Sequence, residues 1–260
     1  MRDDVIIAAL SGGRDSTAMV LKRLERGERI DYIYFSDTLH EFYLMYEYLE
    51  KVAEFIAKTY GKQVIRLKPR STFEDWVFGE MTRGEHKGAI RGLPKITDPC
   101  FWKRESKTAP AEAFHKCVGV PYIKLTKLVG YTASEKDRVQ KDSDIEYPLI
   151  DWGWCEGDVS AYLESIDMVN PLYKYFSRTG CHFCPYMSLR SYYIVWKFFK
   201  KTWDYMKNIE DSLHGLEKLG YRVVNSRWQR NYTLAELEAR FESGKDGYSD
   251  TPDRDCFCAI

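Results

Sequence analysis

Residues 11–17, with the sequence SGGRDST, gather groups that commonly bind phosphate. They comprise two glycines, three hydroxyl side chains and one carboxylate: Ser11, Gly12, Gly13, Asp15, Ser16 and Thr17. The glycines permit a tight turn because they have no Cβ atom, and the hydroxyls add hydrogen-bond donors. Asp15 is a candidate contact for Mg²⁺ or water and a candidate catalytic residue. The segment therefore predicts a phosphate site, whereas a turn that only caps a helix is the simpler alternative.

The sequence on either side of this segment supports the phosphate interpretation. An apolar run at 5–10 indicates a buried strand, and apolar residues recur at helical spacing over 18–24. In a strand–turn–helix unit the first amide N–H groups of the helix face an anion, and the helix dipole favours it. The pattern is neither a Walker A loop nor a dinucleotide Gly-x-Gly-x-x-Gly motif.

A second group with chemical potential is the Cys-x-x-Cys motif of Cys181 and Cys184, which stands between Gly180 and Pro185. Two thiolates at this spacing can bind one metal ion or one face of an iron–sulfur cluster. A buried pair of small apolar side chains is the alternative. The chain has seven cysteines, an odd number, which favours metal or redox chemistry over a disulfide framework.

The overall composition is that of a globular chain without a strong charge bias. The 260 residues are 44% hydrophobic and 30% charged, and the formal net charge is +0. No apolar stretch approaches the ~20 residues that span a bilayer, and the N-terminus has no signal-peptide pattern. These features predict a cytoplasmic protein with no membrane partner, and the neutral charge gives no global attraction to nucleic acid.

The order of the remaining elements predicts an α/β fold, a doubly wound parallel sheet with a C-terminal helical lobe. Strands are predicted at 5–10, 30–35, 63–67, 124–131 and 145–150. Helices are predicted from 18, at 41–60, 71–79, 109–117, 156–166, 186–206, 207–219 and 233–242. Ligands of such sheets bind at the carboxyl ends of the strands, where residues 11–17 and Asp37 lie.

The sequence predicts three regions. Residues 1–168 form the predicted nucleotide-binding α/β domain. Residues 169–243 hold the Cys-x-x-Cys loop and the helical lobe, and residues 244–260 form a flexible tail with two cysteines.

Five separated segments occur in the order in which they occur in the phosphoadenosine-phosphosulfate (PAPS) reductase family. They are 11–16 (SGGRDS), 37–42 (DTLHEF), 100–103 (CFWK) with Pro110, 130–138 (GYTASEKDR) and 147–152 (YPLIDW). The chain thus resembles this family, which lies within the PP-loop ATP pyrophosphatases of the adenine nucleotide alpha-hydrolase-like superfamily. Leu39 replaces a glycine of the family pattern, and Arg138 is a candidate substitute for an arginine that is common near Tyr131.

The resemblance implies an enzyme that binds ATP and Mg²⁺, cleaves ATP to AMP and pyrophosphate, adenylates an acceptor and transfers sulfur to it. True PAPS and adenosine-phosphosulfate (APS) reductases tend to have a degraded loop, whereas this chain keeps Ser-Gly-Gly-x-Asp-Ser. Residues 11–17 would hold pyrophosphate and Mg²⁺. Backbone at Ser36 and Asp37 would face adenine and ribose, and Lys103 and Arg138 would contact the α-phosphate.

The resemblance also implies a [4Fe–4S] cluster on Cys100, Cys181 and Cys184, with one iron left open for sulfur. Either Cys117 or Cys155 could supply a fourth thiolate instead. The rival assignment is a structural Zn²⁺ held with the two tail cysteines.

The tail sequence Asp255-Cys256-Phe257-Cys258 has a faint similarity to the C-terminal Glu-Cys-Gly of PAPS reductases. Cys256 is therefore a candidate catalytic thiol that attacks or relays sulfur, and incidental cysteines at a chain end are the alternative.

Two other functions remain open at this stage. One is a true PAPS/APS reductase that takes PAPS or APS and releases sulfite, and the other is a non-catalytic nucleotide-binding protein with a structural zinc. Expected partners are a sulfur donor or thiol reductant protein and a nucleic-acid or small-molecule acceptor. The sequence leaves open whether the chain forms a homodimer.

Overall fold

The computed structural model describes residues 4–97, 99–119, 124–140, 142–248 and 250. Its contacts divide the chain into two compact units. The first unit contains Met1–Lys68 and Ser106–Tyr173, and the second contains Pro69–Glu105 and Lys174–Ile260. The chain passes from the first unit to the second for the last time after Tyr173, close to the predicted boundary at 168. Residues 69–105, which were predicted to belong to the first domain, group with the C-terminal part of the chain.

The first unit is built on a five-stranded parallel sheet. Its strands are β1 Asp4–Ala9, β2 Tyr32–Ser36, β3 Val64–Leu67, β4 Lys124–Leu128 and β5 Ile145–Glu146. Their order is β3-β2-β1-β4-β5, and every pairing is parallel. This confirms the predicted α/β class with a parallel sheet. The order reverses between β1 and β4, and the crevice at such a switch point is where sheets of this kind bind ligands.

Ten α-helices connect these strands and complete the second unit in the described ranges. They are α1 Arg14–Glu25, α2 Tyr43–Tyr60, α3 Phe73–Val77, α4 Phe101–Lys103, α5 Ala109–Val118, α6 Pro148–Asp151, α7 Glu156–Ser165, α8 Leu189–Phe198, α9 Lys200–Lys218 and α10 Leu234–Glu242. A π-helical turn, Arg104–Thr108, joins α4 to α5, and 3₁₀ turns occupy Ala133–Arg138 and Pro171–Lys174. None of the helices in these ranges combines the length and apolar composition needed to span a bilayer.

The core of the first unit follows from strand alternation and helical periodicity. Ile7 and Ala8 of β1 are buried, as are the apolar faces of α1 and α2. Tyr32 and Tyr34 point to the same face of β2, where both rings contact Phe114 of α5 at centroid distances of 5.8 and 5.4 Å. These contacts place α5 on the tyrosine face of the sheet.

Two predicted elements are wrong in their extent. The strand predicted at 145–150 ends at Glu146, because Pro148 begins helix α6. Proline suits the first turn of a helix, where its missing N–H has no helical partner. The break predicted between residues 206 and 207 lies instead at Phe199, whose φ of −126° and ψ of 54° are not helical, and α9 runs unbroken through 206–207.

Candidate functional site

The loop between β1 and α1 has the backbone geometry that the sequence predicts for an anion site. Gly12 has a φ of 78°, a region that favours glycine. Gly13 is the N-cap of α1 in an extended conformation, with φ −74° and ψ 161°. Since glycine has no side chain, Gly13 itself supplies no capping group to the first turn of α1.

The hydroxyls of Ser11 and Ser16 hold the loop in shape. The Ser16 hydroxyl accepts a hydrogen bond from the Ser11 amide at 3.1 Å and donates one to the Gly13 carbonyl at 3.2 Å. The two Oγ atoms are 2.8 Å apart, and Ser11 Oγ accepts from the Gly13 amide at 3.3 Å. Ser11 is exposed and Ser16 is half-buried, so both hydroxyls bond within the loop at its solvent-accessible surface. Thr17, in contrast, is fully buried.

Residues 170–173, at the end of the first unit, contact the β1–α1 loop through hydrogen bonds to its backbone. The buried Asn170 donates through Nδ2 to the Gly12 carbonyl at 2.8 Å. The Tyr173 hydroxyl accepts from the Arg14 amide at 3.0 Å, and the Arg14 guanidinium lies 3.7 Å from the centre of the Tyr173 ring. Sequence reasoning missed both residues, since Asn170-Pro171 only indicated a loop.

The loop after β4 lies directly against the start of α1. A Cβ atom on Gly130 would be 3.0 Å from the carbonyl carbon of Asp15 and 3.1 Å from the amide nitrogen of Ser16. These distances are shorter than ordinary van der Waals contacts, so a side chain at residue 130 would require the neighbouring backbone to shift. Two loops that follow adjacent strands, β1 and β4, therefore meet at the switch point of the sheet.

The predicted α-phosphate contacts, Arg138 and Lys103, belong to different units. Arg138, in the first unit, forms an ion pair with Glu135 and stacks on Tyr131, with its guanidinium 4.4 Å from the ring centre. It is partly exposed and close in sequence to Gly130. Lys103 is exposed at the end of α4 in the second unit.

Asp37, at the end of β2, is fully buried and supports its own loop. Its carboxylate accepts hydrogen bonds from three donors: Arg66 Nε at 2.7 Å, the Tyr46 hydroxyl at 2.8 Å and the Leu39 amide at 2.8 Å. Leu39 has a φ of 61°, in the left-handed region that favours glycine. Glycine is the residue that the family pattern has at this position. The side chain of Asp37 is therefore a structural group, and its backbone is the part that remains for a ligand.

A second buried carboxylate, Glu41, lies next to this loop. It accepts from the Thr38 hydroxyl at 3.0 Å and pairs with Lys107 Nζ at 3.4 Å. Ser36, the other predicted nucleotide contact, donates to the Lys107 carbonyl at 3.5 Å. Lys107 thus joins the end of β2 to the π-helical turn, and the sequence pattern did not single it out.

In the second unit, the two cysteine-bearing segments are neighbours. Cys181 and Cys184 form a tight turn, in which the Cys184 amide donates to the Cys181 carbonyl at 3.1 Å. The rings of Phe183, within this turn, and Phe101, next to Cys100, both stack on Phe73, at centroid distances of 4.2 and 6.3 Å. The aromatic ring of Phe73 therefore brings the residue-100 segment and the Cys-x-x-Cys turn to one place.

The donor chemistry of these cysteines fits a thiolate-bound metal, but the described geometry does not by itself form a complete site. Cys184 is buried, and Cys100 and Cys181 are half-buried. In the described ranges, no three or more His, Cys, Asp or Glu side chains are arranged around a common point. The cluster on these three cysteines therefore stays a prediction.

The other cysteines are distributed elsewhere. Cys117 on α5 and Cys155 at the N-cap of α7 are exposed, and both belong to the first unit. Cys256 and Cys258, the predicted tail thiols, lie outside the described residues.

Comparison with known proteins gives a distant relationship. No family model matches the chain. An uncharacterized protein of Methanocaldococcus jannaschii is 25% identical to it over 215 residues, which are 78% of this chain and 41% of the relative. The chain thus spans about two fifths of the length of the curated relative it matches.

Proposed function

We propose that the chain is a PP-loop ATP pyrophosphatase related to the PAPS reductase family, and that residues 11–16 bind the pyrophosphate end of ATP. The observation that carries this proposal is the glycine-capped start of α1 at the β1/β4 switch point. Its helix dipole and first-turn amides favour an anion, and Gly130 keeps the facing loop close without a side chain.

The groups of the loop have separate tasks in this proposal. The hydroxyls of Ser11 and Ser16 exchange their mutual contact for phosphate oxygens, and the Gly12 turn keeps the backbone close to the ligand. Mg²⁺, when bound, neutralises the charge of the leaving group, and Asp15 is the candidate carboxylate for it.

The reaction that we propose is attack of an acceptor nucleophile on the α-phosphorus of ATP. A bond forms between the nucleophile and phosphorus, the α–β bridging P–O bond breaks, and pyrophosphate leaves with the electron pair. The proton of the nucleophile passes to solvent. The products are an adenylated acceptor and pyrophosphate, and later displacement of AMP by a sulfur nucleophile completes the transfer.

The cysteines of the second unit are the proposed source of that sulfur chemistry. Cys100 and the Cys-x-x-Cys turn lie on neighbouring segments, and thiolates are the ligands that iron–sulfur clusters use. If Cys100, Cys181 and Cys184 hold a cluster, it would supply sulfur at the sulfide level, which can displace AMP without a change in oxidation state. A cysteine persulfide would in addition need the thiol reductant to release its outer sulfur.

Product analysis on the full-length protein tests this proposal. In the absence of an acceptor, we expect water to attack the α-phosphorus slowly, so that ATP and Mg²⁺ yield AMP and pyrophosphate. Ser16→Ala should weaken ATP binding by about tenfold to a hundredfold, because a hydroxyl bonded to a charged group contributes roughly 1.5–3 kcal/mol. The matched control is Ser165→Ala, which removes an exposed hydroxyl of α7 in the same unit.

Three other results would contradict the proposal in different ways. ADP with orthophosphate would place the cleavage at the wrong bond. Sulfite released from PAPS or APS with a thiol reductant and without ATP would identify a reductase. Tight ATP binding with no cleavage, in a protein that contains only zinc, would identify a nucleotide-binding protein without catalytic activity.

A further inference from the structure

The second unit contains a cavity of about 350 Å³ that the nucleotide proposal does not use. Its walls come from three segments, residues 94–97, residues 185–187 and residues 225–230. The volume is within the ~300–1,000 Å³ range of pockets that bind small ligands.

The lining of this cavity is cationic. Lys95 lies in one wall, and Arg227 and Arg230 lie in another. Among the described residues, the lining contains no acidic side chain. Arg227 is partly balanced by the carboxylates of Glu210 and Glu236 outside the lining. The like charges of the lining repel one another, and an anionic ligand relieves this repulsion. Arginine is also the side chain whose geometry best matches phosphate and carboxylate oxygens.

Asn225 fixes the two charged walls to each other. Its Nδ2 donates to the Leu93 carbonyl at 3.0 Å and to the Arg227 carbonyl at 2.9 Å, and its own carbonyl accepts from the Leu93 amide at 2.7 Å. A Cβ atom on Gly92 would be 2.0 Å from the Asn225 carbonyl oxygen, and Gly92 has a φ of 73°. Glycine at residue 92 thus permits the close contact that Asn225 makes.

Trp228 supplies a fixed apolar wall. Its amide donates to the buried carboxylate of Glu210 at 3.1 Å, its indole Nε1 donates to the Met206 carbonyl at 2.8 Å, and its carbonyl accepts from the Tyr192 hydroxyl at 3.1 Å. With every polar group of the residue bonded, the wall is preformed. A preformed cavity reduces the entropy lost when a ligand binds.

The third wall continues from the Cys-x-x-Cys turn. Pro185 directly follows Cys184, and the amide of Met187 donates to the Cys184 carbonyl at 3.1 Å. The Phe183 ring within the turn lies 5.2 Å from the Trp228 ring. The cavity therefore adjoins the cysteines, and all of these residues belong to one unit.

We propose that this cavity binds the sulfur acceptor, a small molecule that carries an anionic group beside an apolar or aromatic portion. The cations hold the phosphate or carboxylate, and Trp228, Pro185 and Met187 contact the apolar portion. The binding site rests on the lining of the cavity, whereas its assignment to the acceptor rests on the proposed function.

Binding of three simple probes to the full-length protein tests the site. The probes are phenyl phosphate, benzoate and phenol, measured by calorimetry with a non-hydrolysable ATP analogue present at a saturating concentration to occupy the nucleotide loop. We expect one molecule of phenyl phosphate or benzoate per chain and no binding of phenol. The stronger of the two anions identifies the acceptor's anionic group as a phosphate or a carboxylate.

Variants in the lining locate the binding. Arg230→Gln and Lys95→Gln should each weaken binding of the anion by about tenfold. Ile96→Glu should abolish it, and this variant tests the charge without a folding risk because Ile96 is half exposed. The control Lys201→Gln removes one exposed positive charge of the same unit outside the cavity and should leave binding unchanged.

Equal binding in all four variants, or no binding of either anion, would overturn the site. Anion binding that depends on these residues in a protein that does not cleave ATP would support the site and overturn the acceptor role. The two proposals can therefore fail separately.

Discussion

At the scale of single residues, the buried Glu210 should make the free energy of unfolding depend on pH. It is almost completely buried in the second unit and accepts from the amides of Trp228 and Leu234. Burial raises the pKa of Glu210 to about 7, while the two amide hydrogen bonds lower it. The folded state thus binds more protons than the unfolded state between pH 4.5, the ordinary value, and about 7.

The contribution of Glu210 to stability is therefore complete below pH 4.5 and is lost as the pH rises through about 7. The difference in unfolding free energy between wild type and Glu210→Gln should change by roughly 3 kcal/mol across this window. Urea unfolding at a series of pH values measures it, with Glu54→Gln as the exposed control. If the difference in unfolding free energy stayed constant with pH, the pKa of Glu210 in the folded protein would not be raised.

For single residues, the sequence identified those that belong to a local motif and missed those that contact the loop from distant parts of the chain. Gly12 and Gly13 follow from the motif, and in the structure Gly12 has a positive φ and Gly13 is the N-cap of α1. Asn170 and Tyr173 are far from the loop in sequence, and no local pattern connects them to it. The backbone at Asp37 was predicted to face the nucleotide, which stays a prediction; the structure adds that its side chain is buried and bonded to three donors.

At the scale of elements, residues 170–173 are expected to stabilise the predicted phosphate loop, residues 11–17. Asn170 donates to the Gly12 carbonyl and accepts from the Leu172 amide at 3.0 Å. Asn170→Ala leaves the buried Gly12 carbonyl without this donor, and we expect the unfolding free energy to fall by roughly 1–3 kcal/mol. ATP binding should weaken as well, since the turn at Gly12 loses its support.

Two further variants isolate the hydrogen bond to the Gly12 carbonyl. Asn170→Asp keeps the acceptor for Leu172 but replaces the donor with an oxygen, so it should be at least as destabilised as Asn170→Ala. Asn208→Ala, on the exposed side of α9, should change stability by less than about 0.5 kcal/mol. Chemical denaturation measures all three, and an Asn170→Asp protein as stable as wild type would show that the Gly12 contact contributes nothing.

The sheet and most helices were predictable because their apolar periodicity is strong, and the errors occurred where tertiary contacts or local turns decide the outcome. The apolar run at 145–150 has the composition of a strand, but Pro148 begins a helix within it. The break between the two predicted C-terminal helices was placed at 206–207 instead of Phe199, because no glycine or proline near Phe199 marks its non-helical backbone. The grouping of residues 69–105 with the C-terminal part of the chain depends on long-range packing, which periodicity does not encode.

At the scale of the whole molecule, the two predicted chemistries lie in separate units. The predicted phosphate loop belongs to the first unit, and Cys100 and the Cys-x-x-Cys turn belong to the second. This division predicts that metal content and ATP binding can be removed independently. Loss of the thiolates should leave the glycine-capped start of α1 unchanged, because none of the contacts described for the loop involves a cysteine.

Anaerobic purification followed by iron, sulfide and zinc analysis tests this division in the full-length protein. We expect about four irons per chain, which Cys181→Ser, at a half-buried residue, should remove while ATP affinity stays within about twofold of wild type. The control Cys117→Ser removes an exposed thiol of the first unit and should keep both properties. An analysis that finds one zinc and no iron per chain would identify a structural metal instead of a cluster. A chelator should then lower the melting temperature, because such a site stabilises the fold.

Iron that persists in Cys181→Ser would contradict the ligand assignment. Joint loss of iron and ATP binding in a folded Cys181→Ser protein would contradict the independence of the two units.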